Sequence, residues 1–214
     1  MKTVEEVYAS YYIMPQLCSH MYRVAAVASL ICDNFQTSVD KKSIINTCLL
    51  HDMGNIIKFD LTKFPEFNEP LGIEYWQSVK SNFIEKYGND QHNATVAIAL
   101  EVGASLRVLE LLNSMGFSKS VNVNESNEIE KMICLYADMR VKPTGVATLK
   151  ERMIDMEARY GGGENAKKGT EIQDIYLALY SIEEKIFAHT NIKPNEITND
   201  MCEAMIPLFK KTII

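Results

Sequence analysis

A chain of 214 residues, 47% hydrophobic and 23% charged, is long enough to bury a core in one domain and too apolar to stay disordered. Its formal net charge of −6 argues against broad binding to nucleic-acid polymers or anionic membranes and points to a small-molecule partner; a homodimer is compatible with it. Cys18, Cys32, Cys48, Cys134 and Cys202 are odd in number and lack CxxC spacing, which reads as reduced core thiols of a cytoplasmic protein. No apolar run approaches the roughly 18–20 residues of a membrane span, and the N-terminus lacks the apolar segment of a signal peptide.

In chain order the predicted elements are helices. Thr3 with Glu6 forms a capping box opening a short helix through about Tyr12. Pro15 restarts the chain. From Leu17, the apolar positions Met21, Val24, Ala28, Ile31 and Phe35 step by four and three, predicting an amphipathic helix with His20 at the edge of its stripe and Arg23 in the same direction. The next helix runs from about Asp40 to Met53, with Gly54 as its stop. Residues 55–70 predict a long loop whose Phe59, Phe64 and Phe67 line a pocket or tether the loop to the core.

Trp76, Val79, Phe83 and Tyr87 mark a helix ended by Gly88. Asp90 caps one from His92 to Gly103, and Ser105 opens another that stops at Gly116. Residues 117–127 read as a polar loop. Ile129, Met132, Ile133 and Tyr136 define the helix that carries Asp138. Thr148 with Glu151 caps a helix to Tyr160, Thr170 with Gln173 one through Ile186, and Asp200 with Glu203 a last short one. Nothing alternates convincingly at period two, so the fold class is all-α, with about nine helices. Residues 1–160 form a metal-binding helical domain, and residues 161–214 add C-terminal helices packed on it. Between them, Gly161–Gly163 and Lys167-Lys168 read as a turn, because the order of a phosphate loop and its preceding strand are missing.

The chemistry centres on Leu50-His51-Asp52-Met53-Gly54. Both polar residues fall at the edge of the buried face defined by Ile44, Ile45, Cys48 and Leu49. Leaving a buried charge without its partner costs roughly 3–5 kcal/mol, and the end of a helix favours a cation, so a metal ion would answer both needs. Taken alone, the dipeptide is also compatible with a capping histidine beside an exposed aspartate. Arg23, Lys58, Arg140 and Lys142 lie close to these residues in sequence and are candidate phosphate contacts, each also compatible with a solvated surface position.

Three segments, Ser19-His20-Met21-Tyr22-Arg23, Leu50-His51-Asp52-Met53-Gly54 and Tyr136-Ala137-Asp138-Met139-Arg140, together resemble the HD-domain metal-dependent phosphohydrolase superfamily over roughly residues 10–160. The resemblance implies an HD-like helical bundle, metal ligation by His20, His51, Asp52 and Asp138, and hydrolysis of a small-molecule phosphoester, a nucleotide above all. Two imidazoles and two carboxylates suit one divalent transition metal, Mn, Fe, Co, Ni or Zn, better than Mg. Such an ion polarises phosphorus and lowers the pKa of water. His92 is the one further histidine between the motif and Asp138, a candidate proton donor or phosphate contact; related two-metal phosphodiesterases need two. Asn55 stands where related nucleotidases carry an acid that orients water, so Asp52, Asn55 and His92 are the candidate catalytic residues. Phosphodiester or dinucleoside-polyphosphate hydrolysis, or nucleotide sensing without turnover, are the alternatives.

Overall fold

A computed structural model describes residues 2–160 and 170–214. Its framework follows from where the apolar positions fall. The helix α2 (Pro15–Asp33) begins with proline at its first turn, where the missing N–H is no loss, and ends at Asp33, with Asn34 as its C-cap, before reaching Phe35. Val24, Ala25, Ala26, Val27 and Ala28 are all fully buried, so α2 is enclosed on all sides here instead of presenting one apolar stripe. Small alanine side chains let neighbours approach closely. Those neighbours are α3 (Lys41–Leu50), α8 (Ile129–Asp138) and α11 (Asn199–Lys210).

Around this axis lie α1 (Val4–Ser10), α4 (Ile73–Tyr87), α5 (Gln91–Glu101), α6 (Leu106–Leu112), α7 (Ser120–Ser126), α9 (Leu149–Tyr160) and α10 (Thr170–Phe187). The capping residues are the expected ones: Thr3 accepts from Glu6 N, Asp90 from Asn93 N, Ser105 from Val108 N and Thr148 from Glu151 N. The class is all-α, but the described residues form eleven α-helices and not nine. Two short strands, β1 (Val141–Lys142) and β2 (Gly145–Val146), pair antiparallel just after Asp138. Such two-residue strands are too short to show a period in sequence.

Three differences from the sequence reading bear on the packing and the site. Residues 117–127 are not a loop: a 3₁₀ turn leads into α7, where Ser120 and Val123 are buried against the fold. Lys185 Nζ of α10 donates to Asn124 O and Asn127 Oδ1, both at 2.8 Å, satisfying the end of that helix from outside. The last helix is capped by Thr198, not Asp200, and runs twelve residues despite Pro207. The third difference, at Gly54, bears on the site. Residues 161–169, including the triglycine segment and Lys167-Lys168, lie outside the described residues, as does the Thr170 side chain. After them, α10 packs on α7 and α8, and α11 on α2.

Candidate metal centre and its cavity

The helix α3 ends at Leu50, earlier than expected, and His51 and Asp52 sit in the turn that follows. Two anchors hold this turn. Tyr8 Oη donates to Leu49 O at 2.5 Å, and Gly54 N donates to Thr95 Oγ1 of α5 at 3.0 Å. Gly54 does not serve as a left-handed helix stop, since its φ is −93°. It is glycine because α5 presses against it: a Cβ there would lie 2.4 Å from Gln91 O and 2.9 Å from Thr95 N.

The four motif residues converge. His20 Nε2 lies 3.2 Å from His51 Nε2, 3.1 Å from Asp138 Oδ1 and 3.6 Å from Asp52 Oδ2. His51 Nε2 is 3.7 Å from Asp52 Oδ1 and 3.5 Å from Asp138 Oδ1. His51 Nδ1 donates to Cys48 O at 2.8 Å, which fixes its tautomer and turns the Nε2 lone pair toward the cluster. Burial opposes a charge on His51, but the Asp52 and Asp138 carboxylates outweigh it and raise the ring to about 9. Burial likewise works against the Asp138 carboxylate, yet hydrogen bonds from His20 and His51 hold it well below the usual range.

This donor set fits a metal. One ligand atom each from His20, His51 and Asp52 lie within 4.8 Å of one another, and adjacent ligands of one ion with bonds of about 2.1 Å stand roughly 3.0–3.4 Å apart. Helices α2 and α8 and the turn after α3 thus bring together groups separated by 118 residues in sequence.

The cluster lines a cavity of about 860 Å³, ample for a small ligand. Arg23, Lys58, Asn55 and His92 also line it. Arg23 keeps its Nε on Glu203 of α11 at 2.6 Å. His92 Nε2 lies 3.0 Å from Asn113 Oδ1, and Asn55 is buried beside Asp52, its N donating to Asp52 O at 3.0 Å. The phenylalanines do both things expected of them. Phe59, Phe64 and Phe67 line the cavity, while Phe59 and Phe67 also pack on the core.

Arg140 and Lys142 are corrected. Arg140 is almost wholly buried and spends its guanidinium on structure: it donates to Ala147 O, to Tyr136 Oη at 2.8 Å, to Pro194 O at 3.0 Å and to Ile197 O at 3.4 Å. Lys142 follows Val141, which lines the cavity, and strand alternation turns Lys142 away toward Glu151, whose carboxyl is lowered first by hydrogen bonds from Thr148 and only secondarily by the Lys142 charge. Two cavity-lining cations escaped sequence reasoning, Lys63 and Arg152, and Arg152 is the more deeply placed. Arg152 lines the cavity from α9, with Nη1 on Asp155 at 2.9 Å and Nε buried without a hydrogen-bond partner among the described residues. Its place one turn after the Thr148 cap gave no signal. Gln16 had a weak one, four residues before His20 and hence on the same face.

An all-helical fold with a His/Asp group able to hold a divalent metal, set in a cavity, defines the class. Residues 16–101, the segment that contains His20, His51 and Asp52, match the family described as HD domain. No curated protein and no solved structure matches the chain. Among the described residues, no helix is long and apolar enough to cross a membrane. The five cysteines are free, and burial pushes the thiols of Cys18, Cys32 and Cys202 up to about 12.

Proposed function

We propose that this chain hydrolyses a phosphoester of a small molecule, a nucleotide in preference to others, at one divalent transition metal. One observation carries the reading: His20, His51, Asp52 and Asp138 meet in a cavity whose wall also bears Arg23, Lys58 and Arg152. A cation site and anion-binding groups share one space. When bound, the ion supplies a Lewis acid for the phosphoryl oxygens and lowers the pKa of water.

The side chains account for the remaining work. His20, His51, Asp52 and Asp138 would hold the ion, with His51 aligned by Cys48 O. Arg152 offers its unused Nε to a phosphoryl oxygen, and Arg23, steadied by Glu203, adds charge that draws the anion in. Asn55 can orient a water but cannot take its proton, which leaves that proton to Asp52. His92 donates from Nε2 to Asn113 Oδ1, so Nδ1 is the atom that exchanges a proton with the leaving oxygen.

Nucleotide sensing without turnover is the second reading, favoured by the carboxamide of Asn55 where a carboxylate would serve as base. Metal analysis followed by a phosphate-release screen separates the two. The screen covers nucleoside monophosphates, cyclic nucleotides and dinucleoside polyphosphates with added Mn, Co, Ni or Mg. Hydrolysis demands turnover that disappears in Asp52→Ala together with the metal, while His189→Ala, whose ring packs on Phe35, keeps both. Metal and nucleotide binding with no turnover of any ester would give the sensing reading the site.

A further inference from the structure

Asn68 is held through its carbonyl oxygen and its Nδ2, but not through its Oδ1. It is 4% exposed, at the end of the 3₁₀ turn Pro65–Asn68. Its carbonyl oxygen accepts from Gly72 N at 2.7 Å and from Trp76 Nε1 at 3.1 Å. Its Nδ2 donates to Leu61 O at 2.8 Å, which also settles the orientation of the carboxamide. Oδ1 is buried, faces no donor among the described residues, and belongs to a residue that lines the cavity. An acceptor so fixed costs free energy until something donates to it.

Its surroundings restrict what that donor belongs to. Phe64 and Phe67 line the same cavity, their rings stacked at 5.4 Å, and Phe59 is tethered by Lys80 Nζ donating to its carbonyl at 2.6 Å. Gln16 Oε1, one turn before His20 on α2, is a second buried acceptor in the cavity wall, without a donor among the described residues. Flat apolar faces beside acceptors match a planar nitrogen heterocycle carrying N–H groups, whereas a bare sugar or alkyl phosphate leaves the aromatic faces unused.

We infer that Asn68 Oδ1 is the specificity-determining acceptor for an N–H of a nucleobase seated against Phe64 and Phe67, with Gln16 Oε1 accepting a second donor. This rests on the proposed hydrolysis of a phosphoester only for which end of the ligand faces the metal. It goes beyond that reading by assigning the part of the substrate that never reacts.

The test compares metal-loaded wild type, Asn68→Leu and Gln16→Leu on the four common nucleoside 5′-monophosphates and on ribose 5-phosphate, which has no base. Each variant should lower kcat/KM for at least one nucleotide by about five- to ten-fold, the scale of one lost hydrogen bond. Ribose 5-phosphate, already a poor substrate, should change by less than about two-fold, so that the ratio between the substrates moves. Gln16→Leu removes a side chain whose acceptor has no partner among the described residues, so it retains folding even if Asn68→Leu loosens the loop through Leu61.

Equal kcat/KM on ribose 5-phosphate and on every nucleotide, unchanged in ratio by either variant, would overturn the inference and leave phosphoester hydrolysis standing. If no ester is turned over, the hydrolysis reading fails, and calorimetric binding of the same nucleotides decides the inference separately. Weaker binding in either variant upholds it; identical binding in wild type and both variants sinks it.

Discussion

Gly54→Ala separates a glycine needed for close packing from one needed for a turn. The backbone at this position, φ −93° and ψ 0°, is open to alanine, so conformation alone would cost little. Space is the obstacle. The new Cβ would start 2.4 Å from Gln91 O, 2.8 Å from Ala94 Cβ and 2.9 Å from Thr95 N, and reaching even 3.0 Å from Gln91 O requires about 0.6 Å of movement.

Two of the three obstacles are backbone atoms of α5 and cannot rotate aside, so the turn carrying His51 and Asp52 must move and strain the bond from Gly54 N to Thr95 Oγ1. Overpacking of this kind costs about 1–3 kcal/mol, which in a chain of this size lowers Tm by about 3–10 °C. Because the displaced turn carries two of the proposed metal ligands, metal affinity measured by chelator competition should fall by about ten-fold or more. Activity should fall further, on the scale of about 100-fold for a 1 Å misplacement. An alanine variant with wild-type metal affinity and a Tm within about 1 °C would refute the packing argument and return Gly54 to the role of a simple helix stop.

Arg140→Lys should lower stability in urea by about 2–4 kcal/mol, because a lysine cannot serve the four acceptors now bound to one guanidinium; unchanged stability with a raised KM would restore Arg140 to the phosphate. For His51, the pKa raised to about 9 means that its charged contacts stabilise the metal-free chain fully below about 6.5 and are lost as pH rises through 9. At pH 7 metal uptake must therefore displace that proton. Calorimetric titration in buffers of different ionisation enthalpy should report about one proton released per ion, and buffer-independent heats would show that His51 is not a ligand. His92→Ala should leave metal content unchanged and lower kcat by about 100-fold; an unchanged kcat would reduce His92 to a partner of Asn113.

Sequence alone determined most of what is local. Periodicity and capping residues located α2, α4, α5 and α8, because a helix is decided by bonds within a few residues and by one apolar face. The motif segments also singled out His20, His51, Asp52 and Asp138, and they do converge, since polar residues at the edge of a buried face have few places to go. What tertiary structure decided is where side chains end once helices pack. Arg140 and Arg152 are both arginines on or beside helices, yet one is consumed by carbonyls from Ala147, Pro194 and Ile197 while the other lines the cavity. Those carbonyls come from residues up to 57 positions away, a separation that no local pattern records. Likewise α7 is helical because Lys185 and the buried faces of Ser120 and Val123 complete it, and Gly54 is glycine because α5 lies against it. In each case the deciding atom belongs to another element, and its position exists only after the chain has folded.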